Sequence, residues 1–236
     1  MGASNKQSDV TAGVRKYLIK GLVAKLVLAA LLFLSAGHLD WVWGWLLVGV
    51  YVTWDVVVAL LLIPKSPGLL AERAGIQKGA KGWDVLIASL AASLTPMVTW
   101  IVAGLDERLG WTGQVSLALQ IGASAVVVLG FALVTWAMAS NEFFSTIVRI
   151  QDDRNQTVAT RGPYRYVRHP GYVGAILFQV ATPIMLGSLW ALIPGGLSLP
   201  LYVIRTALED ETLQKELDGY TEYAQQTRYR LLPGIW

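Results

Sequence analysis

Six apolar runs dominate the sequence, and they restrict the fold more than any other feature. They cover residues 18–35, 41–63, 85–105, 115–139, 171–190 and 191–204. The first five approach or exceed the roughly 20 residues that a helix needs to cross a hydrocarbon core. Pro194, Gly195 and Gly196 are predicted to separate the shorter sixth run from the fifth as a tight hairpin. The runs therefore predict an all-α integral membrane protein with about six transmembrane helices.

The polar residues of the second half fall into two blocks, which divide the chain into two parts. We predict one membrane domain over residues 1–236, with four helices in residues 1–139 and the functional part in residues 140–236. The first block, residues 140–170, mixes apolar and polar residues in a way typical of a folded interfacial segment. In the second block, residues from about 209 to 226 are predicted to form one amphipathic helix.

Lysine and arginine are concentrated in alternate connections between the runs. They lie before or early in the first run, between the second and third runs, between the fourth and fifth, and after the sixth, whereas the opposite side has only Arg108. Short loops rich in these residues stay in the cytoplasm. We therefore expect both termini to be cytoplasmic. The net charge of +3 is interpreted as this topology signal, and no nucleic-acid partner is expected.

The composition also limits the chemistry. Cysteine is absent and only two histidines are present. Disulfides, thiolate metal sites and a cysteine nucleophile are therefore excluded within the chain, and two histidines cannot build a zinc centre alone. We expect no metal site.

The segment RGPYRYVRHPGYVG, residues 161–174, forms the junction between the first polar block and the fifth run. Pro170 disfavours helical geometry at His169 and suits the first turn of a helix. The fifth helix is therefore predicted to begin at Pro170 or Gly171, with His169 and Arg168 at its mouth.

A helix N-terminus offers unpaired N–H groups and the positive end of the helix dipole, and Arg165 and Arg168 add charge there. This pattern predicts a site for a carboxylate or phosphate, beside aromatic faces for a flat base or a cation on Tyr164, Tyr166 and Tyr172. The alternative is that the arginines contact lipid phosphates while the tyrosines lie in the membrane interface.

Three charged residues lie in or near apolar runs. Arg205 ends the sixth run, and Glu209 lies four residues later on the same helix face. A charge at such a position is costly unless it is paired or lines a cavity, so either a site or a snorkelling arginine with a local ion pair explains Arg205. Asp55, inside the second run, either lines an acceptor tunnel or pairs with a group on another helix.

Several separated motifs occur in an order that resembles the isoprenylcysteine carboxyl methyltransferase family of integral-membrane enzymes. They are GPYRYVRHPGYVG at residues 162–174, RxxxEDxxL at 205–213, YxxY at 220–223 and RYRLLPG at 228–234. The resemblance covers the chain from about Asn141 to its end. It implies a pocket for S-adenosylmethionine at the cytoplasmic face, closed by the C-terminal amphipathic helix, and a lipid substrate that enters from the bilayer.

The resemblance also implies roles for individual residues. Arg205 and Glu209 are assigned as catalytic residues, and Arg205 also as a contact of the acceptor. Asp55 is added to the acceptor contacts because of its position inside an apolar run, and not because of the resemblance. This sequence departs from the family pattern at Asp210, where a second glutamate is frequent, and at Gln156, where a histidine is frequent. The expected cofactor contacts are Tyr164, Arg168, His169, Pro170, Gly171, Tyr172 and Glu209.

The predicted function is S-adenosylmethionine-dependent methyl transfer to a lipophilic or membrane-partitioning acceptor, which presents a carboxylate, thiol or amine. The expected partners are this hydrophobic small molecule or lipid and the surrounding membrane lipids. One alternative is an NADPH-dependent enzyme similar to sterol reductases, which share an R-H-P-x-Y-x-G segment. Another is a non-enzymatic transporter or lipid-binding membrane protein.

Overall fold

The computed structural model describes residues 2–236, and this part of the chain is helical without a β-strand. Four helices are long and apolar enough to cross a membrane: Gln7–Ala36, Val42–Lys65, Gly82–Leu109 and Leu117–Ser140. These match the first four predicted runs. The shorter apolar helix Pro170–Met185 begins at the predicted proline.

The elements follow one another in a simple order. They are α1 (Gly2–Ala36), α2 (Val42–Lys65), α3 (Pro67–Glu72), α4 (Gly82–Ser89), α5 (Thr95–Leu109), α6 (Leu117–Ser140), α7 (Pro170–Met185), α8 (Leu192–Glu216) and α9 (Tyr220–Gln226). A π-helical turn, Leu90–Leu94, joins α4 and α5 into one continuous helix. Between α6 and α7 the chain forms two 3₁₀ turns, Asp152–Arg154 and Gly162–Arg165.

The break between α7 and α8 does not lie at the predicted Pro194, Gly195 and Gly196. It lies at residues 186–191, where Gly187 adopts a positive φ of 80° that favours glycine. Pro194 is the third residue of α8, where its missing N–H sacrifices no helical hydrogen bond. The proline and the two glycines therefore lie in the first turns of α8 and do not form the turn between α7 and α8.

The predicted separate amphipathic helix over residues 209–226 is wrong as one element. α8 continues without interruption from its apolar first half to Glu216 and includes Pro200. Residues 201–216 contain neither proline nor glycine, so nothing in the sequence ends the helix before Glu216. The chain then turns at Leu217, and Gly219, with φ 79°, precedes α9. Glu209 is thus held by the same rigid helix as Arg205.

A shared core ties the two halves of the chain together. Buried residues of α1, α2, α5 and α6 form one cluster with Ala181, Met185, Leu186 and Ala191. The ring of Phe131 on α6 stacks on that of Phe178 on α7 with centroids 4.3 Å apart. This packing fixes the second half of α7 relative to the four long helices.

The tightest helix crossing joins α6 and α7 at two facing glycines. A Cβ atom added to Gly174 would lie 2.5 Å from the carbonyl oxygen of Gly130, and one added to Gly130 would lie 2.7 Å from the carbonyl oxygen of Gly174. Small residues allow membrane helices to approach this closely.

Replacing Gly174 by alanine is expected to lower the free energy of unfolding by about 1–3 kcal/mol, because the methyl group must push two backbones apart. Gly122 on the same helix α6 meets no atom within 4 Å, so Gly122→Ala is the matched control and should stabilise by about 0.5–1 kcal/mol. Thermal unfolding in detergent measures both. Equal effects of the two substitutions would contradict the crossing.

Candidate active site

A cleft opens where the first polar block meets the N-terminus of α7 and the polar half of α8. It encloses about 790 Å³ of open space, including its mouth. Its walls include Phe144, Gln156, Tyr164, His169, Tyr172 and Glu209.

The structure brings the His169 and Glu209 motifs together in this cleft. The Tyr172 hydroxyl donates a hydrogen bond to the Glu209 carboxylate. His169 Nδ1 lies 3.9 Å from Glu209 Oε2, and the rings of His169 and Tyr172 are parallel with centroids 5.7 Å apart. Residues about 40 positions apart in sequence therefore surround one hollow.

The two neighbouring acids of α8 have different environments. The Glu209 side chain is 22% exposed and contacts the cleft, whereas Asp210 is completely buried. Asp210 accepts hydrogen bonds at 2.7–2.9 Å from Arg168, Gln214, Tyr220 and Arg230, and His169 Nε2 lies 3.3 Å away. Glu209 is thus available to a ligand, whereas Asp210 is a structural centre, a buried acceptor that holds several side chains together.

The electrostatics agree with this division. Burial alone would raise the pKa of Asp210, but hydrogen bonds from His169 and Arg168 outweigh it and hold the pKa far below the ordinary value. Burial, together with the Asp210 charge, raises the pKa of Tyr220 well above 10. The carboxylate therefore stays charged and the phenol stays a donor across the physiological range.

Arg168 uses its charge inside the protein. Besides Asp210, its guanidinium donates to the carbonyl oxygens of Thr227 and Arg228 at 2.9 and 2.8 Å. The backbone N–H groups of Arg168 and His169 donate to the carbonyls of Tyr229 and Arg230. The RHP and RYRLLPG motifs are therefore structural partners.

The predicted pair of free arginines at the start of α7 is not found. Arg165 is exposed and does not line the cleft, and Arg168 is already paired with Asp210. Direct contact of Arg168 with a cofactor stays a prediction.

Arg205 lies at the cleft but does not pair with Glu209 as a local ion pair. Its Nε and Nη2 donate to Asp84 at 2.6 and 2.8 Å, and Nη2 also donates to the carbonyl of Thr146 at 2.6 Å. The guanidinium carbon lies 5.0 Å from the centre of the Tyr172 ring. Sequence reasoning missed Asp84, although an acid at the start of an apolar span was a usable signal.

Comparison with known proteins gives this geometry a context. Residues 123–215 match the model of the isoprenylcysteine carboxyl methyltransferase (ICMT) family. This part of the chain is therefore similar to that family. Two rice proteins, from Oryza sativa subsp. indica and subsp. japonica, each named a probable protein-S-isoprenylcysteine O-methyltransferase, are 31% identical over 35% of this chain and 44% of their own length. The protein-S-isoprenylcysteine O-methyltransferase of Schizosaccharomyces pombe is 36% identical over 29% of this chain and 30% of its own length.

The other predicted cofactor contacts, all within residues 123–215, lie in or near the cleft. A Cβ atom on Gly171 would lie 2.6 Å from the Phe144 ring, so glycine lets this ring pack on the start of α7. Tyr164 is buried, and its hydroxyl accepts from Asn141 Nδ2 at 3.3 Å. Gln156, at the frequent histidine position, lies on the cleft wall and accepts from the Gln151 N–H at 2.7 Å. Pro170 is buried and is not among the residues that line the cleft.

Asp55 lies outside the cleft and pairs with a cation of another helix. Its carboxylate accepts from Lys25 Nζ on α1 at 2.8 Å, and this ammonium lies 5.5 Å from the Trp54 ring centre. Asp55 is also not among the residues that line the apolar groove between α2 and α6. Of the two alternatives for Asp55, the structure shows the interhelical pair. A contact with the acceptor stays a prediction.

Replacing Asp55 by asparagine is expected to lower the free energy of unfolding by about 1–3 kcal/mol, because the Lys25 ammonium loses its carboxylate in apolar surroundings. The double variant Lys25→Met/Asp55→Leu should recover most of the loss, since an ion pair is replaceable by apolar side chains. Thermal unfolding and methyl transfer are measured on both variants. A double variant that is stable but no longer binds the acceptor would favour the tunnel role.

Within residues 2–236, no three histidine or acidic side chains are grouped so that they could hold a metal ion. The polar groups of the cleft are a carboxylate, a histidine, three arginines that are already paired, several phenols, and amide and hydroxyl groups. This set suits an organic ligand with cationic and aromatic parts.

Proposed function

We propose that the protein transfers the methyl group of S-adenosylmethionine to the carboxylate of a lipophilic acceptor of the isoprenylcysteine type. One observation carries the proposal: His169 and Tyr172 on α7 and Glu209 on α8 surround a single cleft within the region that matches the family. The chain spans less than half the length of the curated relatives it matches. The complete activity is therefore proposed from the chemistry of the cleft residues.

The residues of the cleft fit the cofactor. Glu209 offers a partly exposed carboxylate to the amino group or the sulfonium, and the rings of Tyr164, His169 and Tyr172 offer faces to the adenine and to positive charge. When bound, the cofactor supplies an already activated methyl group. The protein then has to orient the acceptor and exclude water, and orientation alone can supply roughly 7–11 kcal/mol of the barrier.

We propose further that α7 and the apolar half of α8 complete six spans, with the cleft and both termini in the cytoplasm. The support is the basic end of the bundle. Lys81 pairs with Glu216 of α8 and Arg149 pairs with Glu72 of α3, so the basic connections lie at the same end as the cleft. Basic residues in short connections mark the cytoplasmic side.

In the proposed reaction one carboxylate oxygen of the acceptor forms a bond to the methyl carbon while the methyl–sulfur bond breaks. The bonding electron pair goes to sulfur, and the acceptor becomes a neutral methyl ester. A carboxylate is already deprotonated near pH 7, so no side chain has to remove a proton. Glu209 therefore acts by binding, and Arg205, fixed by Asp84, holds the Tyr172 ring that forms one wall.

The test is incubation of purified protein with labelled S-adenosylmethionine and an S-isoprenyl cysteine, followed by mass spectrometry of the product. We expect saturable formation of the methyl ester and at least a tenfold loss of kcat/KM in Glu209→Gln, because one charge-assisted contact is removed. Glu211→Gln, the exposed acid two residues later, is the control. Saturable NADPH binding without S-adenosylmethionine binding would instead favour the reductase alternative.

A further inference from the structure

Arg73 is an arginine near the cleft that the proposed reaction leaves unused. It follows α3 directly, and its Nη1 donates to the Phe144 carbonyl at 3.3 Å. Its guanidinium carbon lies 5.2 Å from the centre of the Phe144 ring. Throughout the described residues, Arg73 Nε is the one buried side-chain nitrogen or oxygen without a hydrogen-bond partner.

The three arginines that line the cleft are neutralised by carboxylates. Arg149 pairs with Glu72, Arg168 with Asp210 and Arg205 with Asp84. Arg73 has no carboxylate within 4 Å among residues 2–236. A buried donor without an acceptor costs about 1–3 kcal/mol, so a ligand oxygen that bonded to Arg73 Nε would recover that cost.

The Phe144 side chain lies next to both Arg73 and the start of α7. The Phe144 ring contacts the guanidinium of Arg73 and also packs on Gly171 at the start of α7. Burial lowers the pKa of Arg73, and the charge of Arg205 lowers it further, whereas Tyr17 raises it. An anion placed between the two arginines would relieve this repulsion.

We propose that Arg73 is the receptor for the acceptor's carboxylate, which reaches its Nε and Nη atoms when the Phe144 ring turns aside. This proposal rests on the proposed function and names the residue that selects a carboxylate acceptor. A guanidinium binds a carboxylate through two parallel N–H···O bonds. Methyl transfer makes the acceptor a neutral ester, so Arg73 holds the substrate more strongly than the product and favours release.

The experiment compares Arg73→Gln, Arg73→Lys and a matched control. Arg154→Gln is suitable, because Arg154 also lies over a cleft phenylalanine, at 5.3 Å from the Phe143 ring centre, but is bonded to neutral oxygens of Gln151 and Glu142. Binding of an S-isoprenyl cysteine with a free carboxylate, and of its uncharged carboxamide, is measured at equilibrium in nanodiscs. Cofactor affinity and methyl-transfer kinetics are measured in parallel.

Wild type is expected to bind the carboxylate at least tenfold more tightly than the carboxamide. Arg73→Gln should abolish this preference and raise KM for the acceptor roughly tenfold to hundredfold, with cofactor affinity unchanged. Arg73→Lys keeps the positive charge but loses the two parallel N–H donors of the guanidinium, so its preference for the carboxylate should lie between those of wild type and Arg73→Gln. Arg154→Gln should show the wild-type preference.

Two results would overturn the role of Arg73: equal binding of both compounds by wild type, which needs no variant, or an Arg73→Lys or Arg73→Gln protein that keeps the wild-type preference. A wild type that neither binds S-adenosylmethionine nor methylates the acceptor contradicts the proposed function instead. The two failures are therefore distinguishable.

Discussion

Asp210→Asn is expected to lower the free energy of unfolding by about 3–5 kcal/mol, because it leaves two arginines around a buried site without their counter-charge. Arg168 and Arg230 both donate to this carboxylate, and so does the Tyr220 hydroxyl. An asparagine offers one oxygen, and its amide N–H groups would face donors. Since Arg168 also holds the carbonyls of Thr227 and Arg228, the C-terminal segment should detach from the start of α7.

Glu211→Gln is the matched control for Asp210→Asn. Glu211 is the next residue, but it is exposed and pairs with Lys215 at the surface, so its loss should change stability by less than about 0.5 kcal/mol. Thermal unfolding in detergent and limited proteolysis of the C-terminal segment measure both variants. Similar unfolding temperatures for the two would show that Asp210 is not a structural centre.

The same carboxylate gives the fold a pH dependence with a defined sign. The pKa of Asp210 is held below its ordinary value in the folded protein, so its contribution is fully present above the unfolded-state pKa near 4. It is lost as the pH falls below that value toward the folded-state pKa. Asp210→Asn should therefore flatten the acid side of the stability profile.

Asp84→Asn is expected to have an effect of similar size, about 3–5 kcal/mol, because Asp84 is completely buried and is bidentate to Arg205. Its Oδ2 also accepts from the Val148 N–H at 2.6 Å. Losing the carboxylate therefore releases the first polar block from α4 and leaves the Arg205 charge unpaired beside Tyr172. Methyl transfer should fall with it.

A double variant separates the structural and catalytic roles of Arg205. Asp84→Leu/Arg205→Met removes both charges and should be more stable than either single variant, because no unpaired charge remains. If Arg205 also contacts the acceptor, the stable double variant still fails to transfer methyl groups. Recovery of both stability and kcat/KM would show that Arg205 acts only through its pair with Asp84.

Local rules were sufficient to predict the long apolar helices and the start of α7. Pro170 favours the first turn of α7, and the structure begins the helix there. The four long apolar runs became the four candidate spans. The meeting of the His169 and Glu209 motifs was implied by the family resemblance, and no local rule predicts it.

The sequence alone could not predict which residues far apart in the chain would pair. Asp84 and Arg205 are 121 residues apart, and no local pattern links them. Glu209 and Asp210 are adjacent acids, and only the packing of α8 against α7 decides that one contacts the cleft and the other is buried. Pro194 and the glycines after it were interpreted as a break, because a proline in the first turn of a helix and one in a turn look alike in sequence.

The most direct test of the central claim is a structure of the protein with bound S-adenosylmethionine. The account predicts the nucleoside and the sulfonium in the cleft, in contact with Glu209 and with the rings of His169 or Tyr172. A cofactor bound elsewhere on the protein, with this cleft empty, would contradict it.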